Sequence, residues 1–166
     1  PNLVQPWLDK LSEALGESSS VSILDGDEIV YLARASQHKI MSIALMPGTR
    51  LPAFCTSMGR VLLAALPEPE AARRLQAKLL TARTPLTLTD PAAILTRIAQ
   101  TRAMGYAIID QEVELGLRSI AVPIHDARGR VIAALNLGLP ASNAPAETLA
   151  TRYLAALHTV QAELRK

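Results

Sequence analysis

Cysteine is nearly absent. Cys55 stands alone in 166 residues, so no internal disulfide can form, and a reducing compartment fits the chain. Aromatics are scarce too, at 3%. Trp7, Tyr31, Phe54, Tyr106 and Tyr153 leave the core to Ala and Leu and offer no stacking platform for single-stranded nucleic acid. No apolar run approaches the roughly 20 residues that span a bilayer, so no membrane partner is expected. Charge of one sign is also missing: seventeen Lys and Arg against fifteen Asp and Glu give +2, which argues for neither nucleic acid nor membrane as a partner of these residues. What remains is 49% hydrophobic and 19% charged, the composition of one globular domain, expected in the cytoplasm. The chain starts at Pro1 without Met, directly in a helical pattern, and reads as a piece of a longer protein.

Chemical motifs are equally thin. Cys55, His38, His125 and His158 lie at no short ligand spacing, and neither CxxC nor HExxH occurs, so no metal is expected. GxGxxG and GxxxxGK[ST] are missing, which removes the warrant for a nucleotide cofactor; no cofactor is expected at all. No helix-turn-helix is legible. Ser57, His125 and Asp126 can be written as a triad, but no GxSxG surrounds Ser57, and adjacent strand residues point to opposite faces. Cys55, near a helix start, is a candidate low-pKa thiol or simply a packed one. A small hydrolase using Ser57 or Cys55 is therefore the enzyme alternative.

Periodicity organises the rest. Leu3, Val4, Trp7, Leu8, Leu11 and Leu15 predict an amphipathic helix stopping at Gly16, followed by a Ser18-Ser19-Ser20 connector. Val21–Leu24 and Ile29–Ala33 read as strands joined by Asp25-Gly26-Asp27, a hairpin signal, and Lys39–Leu45 as a third strand. Helices follow at Thr56–Leu66, with Met58, Val61, Leu62 and Ala65 on one face, and at Pro69–Leu80, with Leu75 and Leu79 inward. A surface connection over Thr81–Thr89 leads to Asp90-Pro91, which opens a helix with Ile94, Leu95 and Ile98 inward, ending at Gly105. Strands at Tyr106–Ile109, Leu117–His125 and Arg130–Gly138 precede a last helix over about Pro145–Leu164. The fold class is α+β, with about six strands in a mostly antiparallel sheet flanked by helices.

Two features rise above this background. Pro52-Ala53-Phe54-Cys55-Thr56-Ser57-Met58-Gly59-Arg60 opens a helix with small hydroxyl residues, leaving amide donors for a carboxylate; simple capping by Thr56 or Ser57 is the alternative. The second is the last hairpin. With Asp126–Gly129 as a four-residue loop, His125 opposes Arg130, Ser119 faces Asn136, Ala121 faces Ala134 and Pro123 faces Ile132. Ile120, Val122, Ile124, Val131, Leu135 and Leu137 then make the other face aliphatic. Buried Ser119 and Asn136 need partners, which a polar ligand, water or backbone would supply. Together these features describe a cavity for a small organic acid, with Arg34, Arg50 and Arg118 as candidate cations.

Gly48-Thr49-Arg50-Leu51-Pro52 running into Thr56-Ser57-Met58-Gly59-Arg60-Val61-Leu62-Leu63-Ala64, then Gly105-Tyr106-Ala107 and Glu114 to Pro123, resembles the effector-binding domain of IclR-type bacterial transcription regulators. Residues Cys55 to Arg60 are closest to the subgroup governing catabolism of protocatechuate, 4-hydroxybenzoate and β-ketoadipate. The resemblance implies a GAF- or profilin-like fold over residues 17–166. It implies that residues 1–16 join this domain to a missing N-terminal winged helix-turn-helix domain that binds DNA. It also implies homodimers or tetramers, and a small aromatic or dicarboxylic acid effector. Effector contacts map onto Leu51, Ser57, Met58, Ile109, Leu117, Ser119 and Asn136. Ile109 stands where members sensing glyoxylate or pyruvate carry an acid, which favours a larger or more apolar effector. A module that only oligomerises is the remaining alternative.

Overall fold

Antiparallel hairpins build the centre of the molecule, because each strand run is separated from the next by too few residues for a helical crossover. The computed structural model describes residues 3–37 and 45–165. β1 (Ser18–Asp25) turns through Gly26, at φ +66°, into β2 (Glu28–Ala35), and the short β3 (Arg50–Pro52) pairs on its outer side. β4 (Ala107–Asp110), β5 (Leu117–His125) and β6 (Val131–Pro140) complete a six-stranded sheet in the order β3-β2-β1-β6-β5-β4, every neighbour antiparallel.

Helices cover both faces. α1 (Gln5–Leu15) and α5 (Leu149–Leu164) lie on one side and bury Leu8, Leu11, Leu149, Tyr153 and Leu157 against Ile120, Val122, Leu135 and Leu137. Gly16, at φ +70°, closes α1 in the left-handed conformation that a side chain would strain. On the other side sit α2 (Ser57–Ala64), α3 (Glu68–Gln76) and α4 (Pro91–Met104), packed around Met58, Leu63, Leu75, Ile94 and Ile98. A fully buried Leu or Ile contributes roughly 1.5–3 kcal/mol, so either layer alone supplies a substantial part of the fold's stability.

Several expectations need correction. Ser18, Ser19 and Ser20 form the start of β1 and not a connector; all are fully buried. Their hydroxyls are satisfied locally: Ser19 Oγ lies 2.7 Å from Ser12 Oγ and donates to the Leu8 carbonyl at 3.1 Å, and Ser18 Oγ accepts from the Gln37 amide. Buried serine therefore costs little here, and the alternating apolar signal of a strand is absent. The Thr56–Leu66 helix is shorter and buried on every side, whereas Ala65 lies exposed beyond its end. α3 ends at Gln76, so Leu79 falls outside it and is 91% exposed. The strand expected over Lys39–Leu45 lies mostly outside the described residues, and β3 occupies the edge of β2.

The register of the last hairpin also differs. Ser119 pairs with Gly138, and Asn136 with Ala121; Pro123 pairs with Ala134. The loop is one residue shorter than assumed, with the Asp126 amide bonded to the Arg130 carbonyl and Gly129 at φ +84°. A bulge between Ile124 and His125 then adds one residue on β6, which carries Val131 to the α2 side and seats Ala133 among the aliphatic residues. The total displacement is two residues. Ser119 and Asn136 therefore stay on the same face of the sheet, as diagonal rather than direct neighbours.

Candidate functional site

The loop before α2 is fixed by backbone contact. A methyl placed on Gly59 would sit 2.0 Å from the Ala53 carbonyl oxygen, so only glycine lets loop and helix approach this closely. Thr56 caps the helix: its Oγ1 accepts from the Gly59 amide at 3.1 Å and donates to the Pro52 carbonyl at 3.0 Å. That uses one orphan donor. The Ser57 and Met58 amides lie ahead of the intrahelical ladder and face the same end as the helix dipole's positive pole. Behind them, Arg60 is 3% exposed, donating to the Phe54 carbonyl at 3.0 Å and to Glu112 Oε1 at 2.9 Å, which pins the helix to the loop preceding β5.

The sheet supplies the floor. Ser119 Oγ donates to Ser57 Oγ at 2.9 Å, which leaves the Ser57 proton free to point elsewhere. Ser22 Oγ reaches Met58 Sδ at 3.1 Å and holds that side chain over β1. Asn136 is 8% exposed, and its Oδ1 has no hydrogen-bond partner among the described residues. Arg34 reaches in from β2, with Nη1 on Ser20 Oγ at 3.2 Å; no carboxylate pairs with it among the described residues, and burial lowers its pKa. Neighbouring Tyr31 is pushed up to about 12 by burial, so its hydroxyl stays protonated.

These groups enclose a cavity of ≈ 30 Å³, room for about one or two waters. Its apolar lining comes from Leu45, Leu51, Met58, Val113 and Leu117, and no acidic residue among those described borders it. Donors converge from the α2 N-terminus, Ser57 and Arg34, while Asn136 Oδ1 is an acceptor without a donor among the described residues. The arrangement is complementary to an anion with an apolar body and a hydroxyl of its own.

Seven of the ten residues singled out from the sequence line this cavity: Arg34, Leu51, Ser57, Met58, Leu117, Ser119 and Asn136. Arg50 does not. It is a surface residue whose Nη2 lies 2.6 Å from Asp25 and whose Nε lies 2.9 Å from Glu28, because a strand-edge arginine finds those carboxylates first. Ile109 pairs with Ser119 on the same face but stays outside the lining. Arg118 points to the other side and binds Asp110 at 2.7 Å and the Ala141 and Ala144 carbonyls. Tyr31, Leu45, Val113 and Gly138 were missed, since nothing in their local pattern marks them as site residues.

The catalytic alternatives lose their footing. His125 and His158 border a different cavity from Ser57, so no triad assembles. Cys55 is fully buried, and burial pushes its thiol up to about 12, the reverse of an activated nucleophile. His38 lies outside the described residues; among those described, no group of three His, Cys, Asp or Glu converges. No helix among them is long and apolar enough to cross a membrane.

A family model for the C-terminal region of bacterial transcriptional regulator IclR matches residues 2–164. The Pca regulon regulatory protein of Pseudomonas putida is 45% identical over 161 residues, 96% of this chain and 55% of that protein. A crystal structure from Rhodococcus sp. RHA1 superposes with a TM-score of 0.93 at 43% identity, covering 99% of this chain and 67% of that one. The inducer-binding domain of the PobR transcription factor from Acinetobacter, a double mutant in complex with 3-hydroxybenzoic acid, also gives 0.93. Its identity is 31%, over 100% of this chain and 97% of that one. The chain spans about half the length of the curated relatives it matches.

Proposed function

Because the chain belongs to the IclR C-terminal family of bacterial transcriptional regulators, we propose that it senses a small aromatic or dicarboxylic acid in the cavity between α2 and the sheet. The effector carboxylate meets the Ser57 and Met58 amides, with Arg34 as the nearby cation. Its body lies against Leu51, Met58 and Leu117. A ring hydroxyl donates to Asn136 Oδ1, whose missing partner is the observation that carries the reading and favours a hydroxylated aromatic acid over a dicarboxylate. The relative bound to 3-hydroxybenzoic acid supports the same choice.

At ≈ 30 Å³ the cavity is smaller than such a ring, so binding selects an arrangement with α2 or Met58 displaced. Gln5 of α1 donates to the Arg34 carbonyl at 3.0 Å, which ties the site to the helix at the junction. In this reading residues 1–16 join residues 17–166 to a winged helix-turn-helix DNA-binding domain. The whole protein is a cytoplasmic homodimer or tetramer governing aromatic catabolism, and effector binding alters its DNA affinity. That requires different effector affinities in the two arrangements.

Calorimetric titration with protocatechuate, 4-hydroxybenzoate, β-ketoadipate, pyruvate and unsubstituted benzoate tests the assignment. Hydroxybenzoates bind most tightly, and Asn136→Leu weakens 4-hydroxybenzoate about tenfold while leaving benzoate unchanged. No heat from any acid at millimolar concentration overturns the reading.

A further inference from the structure

A second and larger cavity opens behind the same loop. It measures ≈ 240 Å³, about eight waters' worth of liquid, and lies between α3, the β1–β2 turn and residues 79–83. Pro52, Ala53 and Phe54, which lead into the α2 cap, form its back wall, and Leu63 and Leu75 deepen it. Leu79 stands at its mouth, 91% exposed, an apolar side chain with nothing over it among the described residues.

The charges around this cavity do not cancel. Asp27 has Lys78 at 3.5 Å, and Glu28 is taken by Arg50 at 2.9 Å. Arg74 is held by Glu70 at 3.0 Å and by the Gly26 carbonyl at 2.9 Å. Arg83 is the remaining cation. Its Nε makes only a long bond of 3.4 Å to the Val113 carbonyl, and no carboxylate pairs with it among the described residues. An apolar hollow with one surplus guanidinium at its rim is complementary to one negative charge carried on an apolar body.

We infer that this cavity is a second ligand site, distinct from the one between α2 and the sheet, and that it takes a single-ring or short-chain monocarboxylate. The carboxylate pairs with Arg83, and the ring or chain packs on Phe54 and Leu75 beneath Leu79. The inference is independent of the effector assignment, because the two cavities share no lining residue.

The test is site-resolved: amide resonances of the 166-residue chain are followed by NMR during titration with benzoate and with neutral benzamide. The expected result is a saturable shift series at Leu75, Leu79 and Leu80, at least about tenfold weaker with benzamide. Arg83→Gln weakens benzoate at these resonances by a similar factor, and Leu79→Asp abolishes the series. Both changes are at exposed positions, so folding is preserved. Immobile resonances at millimolar benzoate, or a series that survives Arg83→Gln and Leu79→Asp, overturn the site. Movement at Ser57 and Asn136 alone overturns it too, while sustaining the effector reading.

Discussion

The two faces of the sheet solve the burial of polar groups differently. Beneath α1 and α5 the strands present Ile120, Val122, Leu135 and Leu137, and the hydroxyls among them close on partners, Ser12 donating to Ser19 and Ser19 to the Leu8 carbonyl. Beneath α2 the side chains are smaller and more polar, one helix is buried on every side, and a guanidinium is sunk in it. Asn136 Oδ1 lies open there. The first face is a packing surface that any aliphatic set of the right volume would satisfy. The second carries directional interactions, so its stability depends on particular partners, and its open acceptor is the one that the proposed effector hydroxyl meets.

The sharpest way to break that contrast is to remove one partner on each face. Arg60→Ala leaves Glu112 partly buried with only the Leu88 amide at 2.9 Å, and unfolding stability is expected to fall by about 4 kcal/mol. The double change Arg60→Met with Glu112→Leu is expected to recover most of that loss in urea denaturation. Leu137→Ala, on the aliphatic face, is expected to cost about 3 kcal/mol through transfer and cavity terms. A larger loss for Leu137→Ala than for Arg60→Ala removes the distinction.

Alkaline pH separates the faces more gently. Cys55 and Tyr31 both belong to the α2 side, and burial raises each to about 12. In the unfolded chain they lose their protons near 9 and 10. Between those values and about 12 the folded state holds protons that the unfolded state has released, so stability falls as pH rises. The contribution is fully present below pH 9. Each group adds a slope of at most about 1.4 kcal/mol per pH unit. Cys55→Ala combined with Tyr31→Phe should flatten this decline in denaturation curves across pH 9–12. An unchanged slope would locate the alkaline sensitivity elsewhere.

Where local chemistry dictates structure, the sequence was readable. Asp25-Gly26 marked the first hairpin, Asp90-Pro91 and Gly105 bracketed α4, and alternation gave β5 its bounds of Leu117–His125. Burial decided by distant partners was not readable. Ser18 to Ser20 become a strand because Gln37, Ser12, Leu8 and Arg34 satisfy them, and Arg60 goes inside because Glu112 is there. Leu79 turns out because α3 ends three residues earlier. At the site, Ser57, Ser119 and Asn136 were legible through the helix-opening hydroxyls and the polar end of the hairpin, whereas Leu51, Met58 and Leu117 came from the family resemblance. Arg50 misled because an arginine's sequence neighbours do not reveal which carboxylates it will meet.

The β5–β6 hairpin shows how such a site tolerates change in chain length. Its tight turn and its bulge are each a single-residue offset, and together they restore the phase of the strand. Parity, rather than register itself, decides which side chains line the cavity. Removing the bulge without lengthening the turn would roll β6 over and put Leu135 and Leu137 on the cavity floor in place of Asn136. Sliding the strand by two would only move the same chemistry along the groove, which lets the order of the lining groups change while the face beneath α1 and α5 stays aliphatic.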